Sequence, residues 1–118
     1  MVRELTEHEV EFIIEHEPED EPIDGNASAI DDETDRKVVK WIRDQLRRGN
    51  SWAWCKVKVS AAWNGFIGSD YLGCCSYKSE KDFKQGGYFA DMRVEALAAL
   101  NREIAATSDK LALLEETA

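Results

Sequence analysis

The chain has 118 residues, 24 acids against 15 lysines and arginines, a formal charge of −9 and 43% hydrophobic content. That length suits one domain with a single two-layer core and leaves no room for a separate cofactor domain. A net negative charge repels nucleic acid at long range, and no run approaches the roughly 18 apolar residues of a membrane helix, so a general DNA binder and an integral membrane protein are both disfavoured.

The charge is unevenly spread. Residues 1–35 carry 14 acids and one base, Arg3, a local net of −13; the remainder is +4. The N-terminus lacks the apolar stretch of a signal peptide, and the expected location is the cytoplasm. Three cysteines are an odd count, and Cys74 and Cys75 are adjacent, so reduced thiols are expected rather than a disulfide framework.

Taken in order, Val10 to Ile14 reads as a short strand with Val10, Phe12 and Ile14 inward and Glu9, Glu11 and Glu15 outward. Residues 15–35 read as an acidic loop, because two prolines, Gly25-Asn26 and ten carboxylates oppose a regular element. Asp31 or Asp32 is placed to cap a helix running to about Arg48 and ended by Gly49-Asn50. Val38, Val39, Ile42 and Leu46 form its apolar stripe, with Trp41 at the edge. Arg36, Lys37, Lys40, Arg43 and Arg47 form a polar side expected to be solvated.

Trp52 to Tyr77 reads as a hairpin. Ala53, Cys55, Val57, Val59, Ala61 and Trp63 alternate with Trp52, Trp54, Lys56, Lys58 and Ser60. Asn64-Gly65 is a type I′ turn signal, since both central residues need φ > 0. It sets Trp63 against Phe66, Val57 against Leu72, Cys55 against Cys74, Trp54 against Cys75 and Trp52 against Tyr77. Gly65 and Gly68 also leave room for a longer loop. Cys55 and Cys74 are expected on the core face as small hydrophobes. Lys78 to Gly87 reads as a turn region.

A last helix begins near Gly87-Tyr88, with Phe89, Met92, Ala96, Leu97, Leu100 and Ile104 as its buried stripe. From Leu97 the spacing 3,4,3,4,3 through Leu100, Ile104, Thr107, Leu111 and Leu114 is an a/d pattern. A homodimer through this helix is one expectation. The other is a helix on its own sheet, with 107–118 a helical extension or tail restarting near Ser108. The fold class is α+β: a single-domain, two-layer sandwich of order β-α-β-β-α, an antiparallel sheet with a central hairpin and two helices on one face.

Two surfaces are candidates for binding. The first is acidic: Glu17, Glu19, Asp20, Glu21, Asp24, Asp31, Asp32 and Glu33, dense enough in carboxylate to compete for a basic groove, or simply solvated. The second is the hairpin face of Trp52, Trp54, Lys56, Lys58, Tyr71 and Tyr77. It fits a single-stranded nucleic-acid platform or a protein-binding patch, or it is covered by the chain itself. Cys55, Cys74 and Cys75 with His8 or His16 show no metal-ligand spacing. No cofactor fingerprint or nucleophile–base order is present, so neither metal, cofactor nor enzymatic activity is expected.

Several stretches together carry a resemblance: Glu17-Pro-Glu-Asp-Glu-Pro-Ile-Asp-Gly-Asn-Ala27, Trp52-Ala-Trp54, Tyr71-Leu-Gly-Cys-Cys-Ser-Tyr77, Asp82-Phe83, Gly86-Gly-Tyr-Phe-Ala-Asp-Met92 and Glu95-Ala-Leu97. Over residues 15–101 the chain resembles small uncharacterised acidic proteins encoded by phages, prophages and mobile elements. The resemblance carries no catalytic or binding residue over. It implies a context in which accessory proteins bind and block a host protein or protein–nucleic-acid complex, as inhibitors of the anti-CRISPR or anti-restriction type do. A single-strand binder using the aromatic face and a structural homodimer are the alternatives.

Overall fold

The computed structural model describes residues 2–27 and 31–117, so positions 28–30 of the expected acidic loop and position 118 lie outside the described residues. The elements run β1 (Glu11–Pro18), α1 (Asp32–Arg47), β2 (Cys55–Trp63), β3 (Phe66–Cys75), α2 (Glu80–Gln85) and α3 (Gly87–Thr117), with short 3-10 turns at Glu7–Glu9 and Ser51–Ala53. The strands form one antiparallel sheet in the order β1-β2-β3, and the fold class is α+β. By its contacts the chain divides into two compact units, residues 1–14, 59–70 and 90–118 in one and residues 15–58 and 71–89 in the other.

The hairpin turn is as the sequence predicts: Asn64 has φ 45° and Gly65 φ 83°, the left-handed pair of a type I′ turn. Ser60 and Ser69 share a 2.8 Å hydroxyl hydrogen bond, the Lys58 ammonium lies 5.7 Å from the Tyr71 ring centroid, and the Tyr77 amide donates to the Trp52 carbonyl at 2.8 Å. Each of these pairs falls on the register that a two-residue loop dictates.

The alternation fails at both ends of the hairpin, for backbone reasons. Residues 51–53 form a helical turn, so Trp52, Ala53, Trp54 and Cys55 are buried in succession. At the other end Cys74 has φ 53°, a left-handed conformation that interrupts the strand as a bulge does. Cys74 is therefore exposed and Cys75 buried, the reverse of the expected faces.

In the first unit, Met92, Ala96 and Leu100 of α3 are buried at four-residue spacing, and Leu97 and Ile104 are half-buried beside them. Gly68 of β3 makes that packing close: a Cβ there would lie 2.1 Å from the Leu100 amide nitrogen. Leu5 is held by the Asn101 side chain, which accepts from its amide at 2.9 Å and donates to its carbonyl at 3.1 Å. The helix α3 runs unbroken to Thr117, without a restart at Ser108.

The N-terminal turn is closed by Glu9, whose carboxylate accepts from the Thr6 amide at 3.0 Å and from both Arg3 terminal nitrogens at 2.9 and 2.6 Å. The Arg3 hydrogen bonds, then the Thr6 amide, lower its pKa from 4.5 to about 2. A depressed folded-state pKa stabilises above the unfolded value. The contribution is complete above about pH 4.5 and disappears as the pH falls to about 2. Arg3→Ala is expected to return the Glu9 midpoint toward the ordinary carboxylate range in an NMR titration; an unmoved midpoint would show that Arg3 is not the cause.

In the second unit, Asp31 caps α1 by accepting from the Thr34 amide at 2.7 Å, and this bond holds its pKa below the usual range. Val39 and Ile42 are buried, Val38 is half-buried, and Leu46, expected inward, is exposed at the last turn. The helix α2 replaces part of the expected turn region. Its start is a cap: Ser79 accepts from the Asp82 amide at 3.2 Å, and Asp82 accepts from the Lys78 amide at 2.9 Å. The Ser79-x-x-Asp82 spacing was a legible signal for it.

Candidate partner-binding surface

The acidic segment after β1 is fastened to its own unit. Trp54 is buried against Ile42 and Ala53, and Ile23, Ala27 and Val38 pack on that cluster. From inside it the Trp54 indole donates to the Glu21 carbonyl at 2.8 Å. Around this point the chain turns tightly: the Ile23 carbonyl accepts from the Asn26 and Ala27 amides, the Asn26 side chain donates to the Pro22 carbonyl at 2.8 Å, and Gly25 supplies φ 82°. Residues 20–27 thus form a strap whose backbone is held while most of its carboxylates face solvent.

β1 extends through Glu15, His16 and Glu17 to Pro18, so the first carboxylates stand on a strand and not on the expected loop. Glu17, Asp20, Glu21, Asp24, Asp31, Asp32 and Glu33 are exposed. Glu19 differs. It is half-buried and its carboxylate accepts from the Cys74 amide at 3.1 Å and the Cys74 thiol at 3.3 Å, a structural latch. The Lys56 ammonium lies 3.0 Å from Asp20 and 3.9 Å from Glu17, and the Asp20 hydrogen bond leads the rise in its pKa. Arg43 pairs with Asp24, and Lys37 lies 3.4 Å from Glu33. These are solvent-facing pairs of small net worth, so they position side chains more than they stabilise the fold.

The aromatic and basic residues of the hairpin do not form one open face. Trp52 is buried, stacked between His16 and Phe83 at centroid distances of 4.0 and 5.7 Å, with the Tyr77 ring edge-on at 6.5 Å. Trp54 is buried beneath the strap, and Tyr77 is half-buried, its hydroxyl pushed up to about 12 chiefly by burial. Trp52 and Trp54 are therefore core residues and unavailable for stacking a ligand. Tyr71 alone of the four is exposed, at 69%, and with Lys56, Lys58, Glu15 and Glu17 it borders a groove of about 300 Å³.

No protein-family model, curated protein or solved structure matches the chain.

The thiols are held in their protonated form. Burial raises Cys55 to about 12 and Cys75 to about 11; desolvation, then the Glu19 carboxylate, raises exposed Cys74. A reactive cysteine needs the opposite, an electropositive setting that lowers its pKa. Among the described residues no three His, Cys, Asp or Glu side chains gather as metal ligands, and no helix is long and apolar enough to cross a membrane.

Sequence periodicity could not locate the Trp54–Glu21 bond or the Glu19–Cys74 latch, because both join segments distant along the chain. The available hint was chemical: a buried tryptophan needs an acceptor for its N–H.

Proposed function

We propose that this protein acts by binding a basic surface on a protein or protein–nucleic-acid complex through the acidic strap. In the setting implied by the phage-protein resemblance, it blocks a host nucleic-acid-handling defence assembly of the CRISPR or restriction type. The observation that carries this reading is the attachment of the strap by a buried indole N–H. A solubilising segment gains nothing from such attachment, whereas a charged surface held in place binds with less ordering cost. Asp20, Glu21 and Asp24 on the strap, with Glu17 on β1 and Asp32 and Glu33 at the start of α1, are the carboxylates available for contact; Glu19 and Asp31 serve the fold.

The test neutralises Glu17, Asp20, Glu21, Asp24 and Glu33 to Gln or Asn and leaves Glu19 and Asp31 intact. Their ion pairs are exposed, so the variant is expected to fold with little loss. Tagged wild-type protein is expected to capture a host protein from nuclease-treated bacterial lysate, and the variant is expected to lose at least about tenfold in retention. Equal capture by both would overturn the acidic-surface reading. If the variant instead gains affinity for single-stranded DNA while the wild type retains no protein, the groove around Tyr71, Lys56 and Lys58 is the working surface.

A further inference from the structure

The two halves of α3 differ in what they bury. Met92, Ala96 and Leu100 are buried within their unit, whereas every residue from Asp109 to Glu116 is exposed, Leu111 at 56% and Leu114 at 66%. The helix continues through this stretch all the same. Propagation from an already packed turn avoids the nucleation cost, and Ala105, Ala106, Lys110, Leu111 and Ala112 are strong helix formers. Those facts account for the helix. They do not account for the placement of its apolar side chains, since Ile104, Thr107, Leu111 and Leu114 keep the 3,4,3 spacing that aligns them in a single stripe.

We propose that this stripe is the seam of a parallel two-stranded coil formed with a second copy of the chain. The charges decide both occupant and orientation. With Ile104 and Leu111 at a and Thr107 and Leu114 at d, Lys110 occupies g and Glu115 the following e. In a parallel pair each g residue faces the e residue five positions on in the other strand, so Lys110 of each copy meets Glu115 of the other, twice by symmetry. An antiparallel overlap that pairs Ile104 with Leu114 brings the two Lys110 ammonium groups together near the axis. Thr107, the one polar seam residue, enters with its donor satisfied, because its hydroxyl donates to the Glu103 carbonyl at 2.9 Å. The seam is short, which makes the dimer concentration-dependent and reversible.

Sedimentation equilibrium of the full chain over a concentration series tests this. Wild type is expected to approach twice the chain mass. Leu111→Arg is expected to remain monomeric with an unchanged far-UV circular dichroism spectrum, because the side chain it replaces is exposed. Lys110→Glu is expected to raise the dissociation constant about tenfold, and Lys110→Glu combined with Glu115→Lys to restore it. A wild type that is monomeric throughout overturns the proposal, as does a dimer indifferent to Leu111→Arg. A double variant no tighter than the single one overturns the parallel orientation.

Discussion

Gly68→Ala is expected to destabilise the unit formed by residues 1–14, 59–70 and 90–118 by roughly 5 kcal/mol or more. The added Cβ would stand 2.1 Å from the Leu100 amide nitrogen, 2.6 Å from the Ala96 carbonyl oxygen and 2.7 Å from the Ala99 carbonyl carbon. All three are backbone atoms of α3, so no side-chain rotation relieves the clash. Strand and helix must separate, exposing part of the buried row Met92, Ala96 and Leu100. Overpacking in a close-packed interior typically costs about 1–3 kcal/mol, and a Cβ driven into backbone atoms exceeds that range because no rotamer change relieves it. Gly87→Ala is the control. A Cβ there would meet no atom within 4 Å, and the variant is expected to melt close to wild type. Similar denaturant midpoints for the two variants would show that the strand–helix approach is looser than described.

Trp54→Ala is expected to have the second-largest effect, a loss of about 3–5 kcal/mol in the unit that contains it. The change empties a site lined by Ile42 and Ala53 and removes the donor that holds the Glu21 carbonyl. Trp54→Phe separates the two contributions. A six-membered ring remains while the N–H and the rest of the indole are lost, and the expected cost is about 1–3 kcal/mol, with faster amide exchange at Asn26 and Ala27. Unchanged exchange at those amides in Trp54→Phe would mean that packing of Ile23 and Ala27 holds the strap unaided.

These two positions show where sequence reading reaches and where it stops. Asn64-Gly65 identifies the hairpin and its register because a type I′ turn imposes a local conformational demand that few residues meet. The cap at Asp31 and the helix start at Gly87 are likewise local. Gly68 looks like spare loop length in the sequence, yet its role is set by a helix some thirty residues further on. Period-2 alternation assigns Trp52 and Trp54 to the face opposite the core and leaves open whether the chain covers it; the helical turn at Ser51–Ala53 breaks the period just before the strand begins, and both are buried. Cys74 and Cys75 exchange faces because one left-handed residue shifts the alternation. Pattern rules assume a regular backbone, and the misplacements of Trp52, Trp54, Cys74 and Cys75 coincide with irregular ones. The candidate acidic residues were legible from charge density alone. Their division into contact carboxylates and structural ones was not, because it depends on which oxygen meets the Cys74 amide and which meets Thr34.

Salt dependence of the dissociation constant for the captured complex tests the central claim most directly. A carboxylate surface meeting a basic one binds through charge–charge attraction that ions screen, so affinity is expected to fall steeply and continuously with ionic strength. The same titration with Glu17, Asp20, Glu21, Asp24 and Glu33 neutralised is expected to be nearly flat. A wild-type complex whose affinity is constant between low and high salt would contradict the acidic strap as the binding surface.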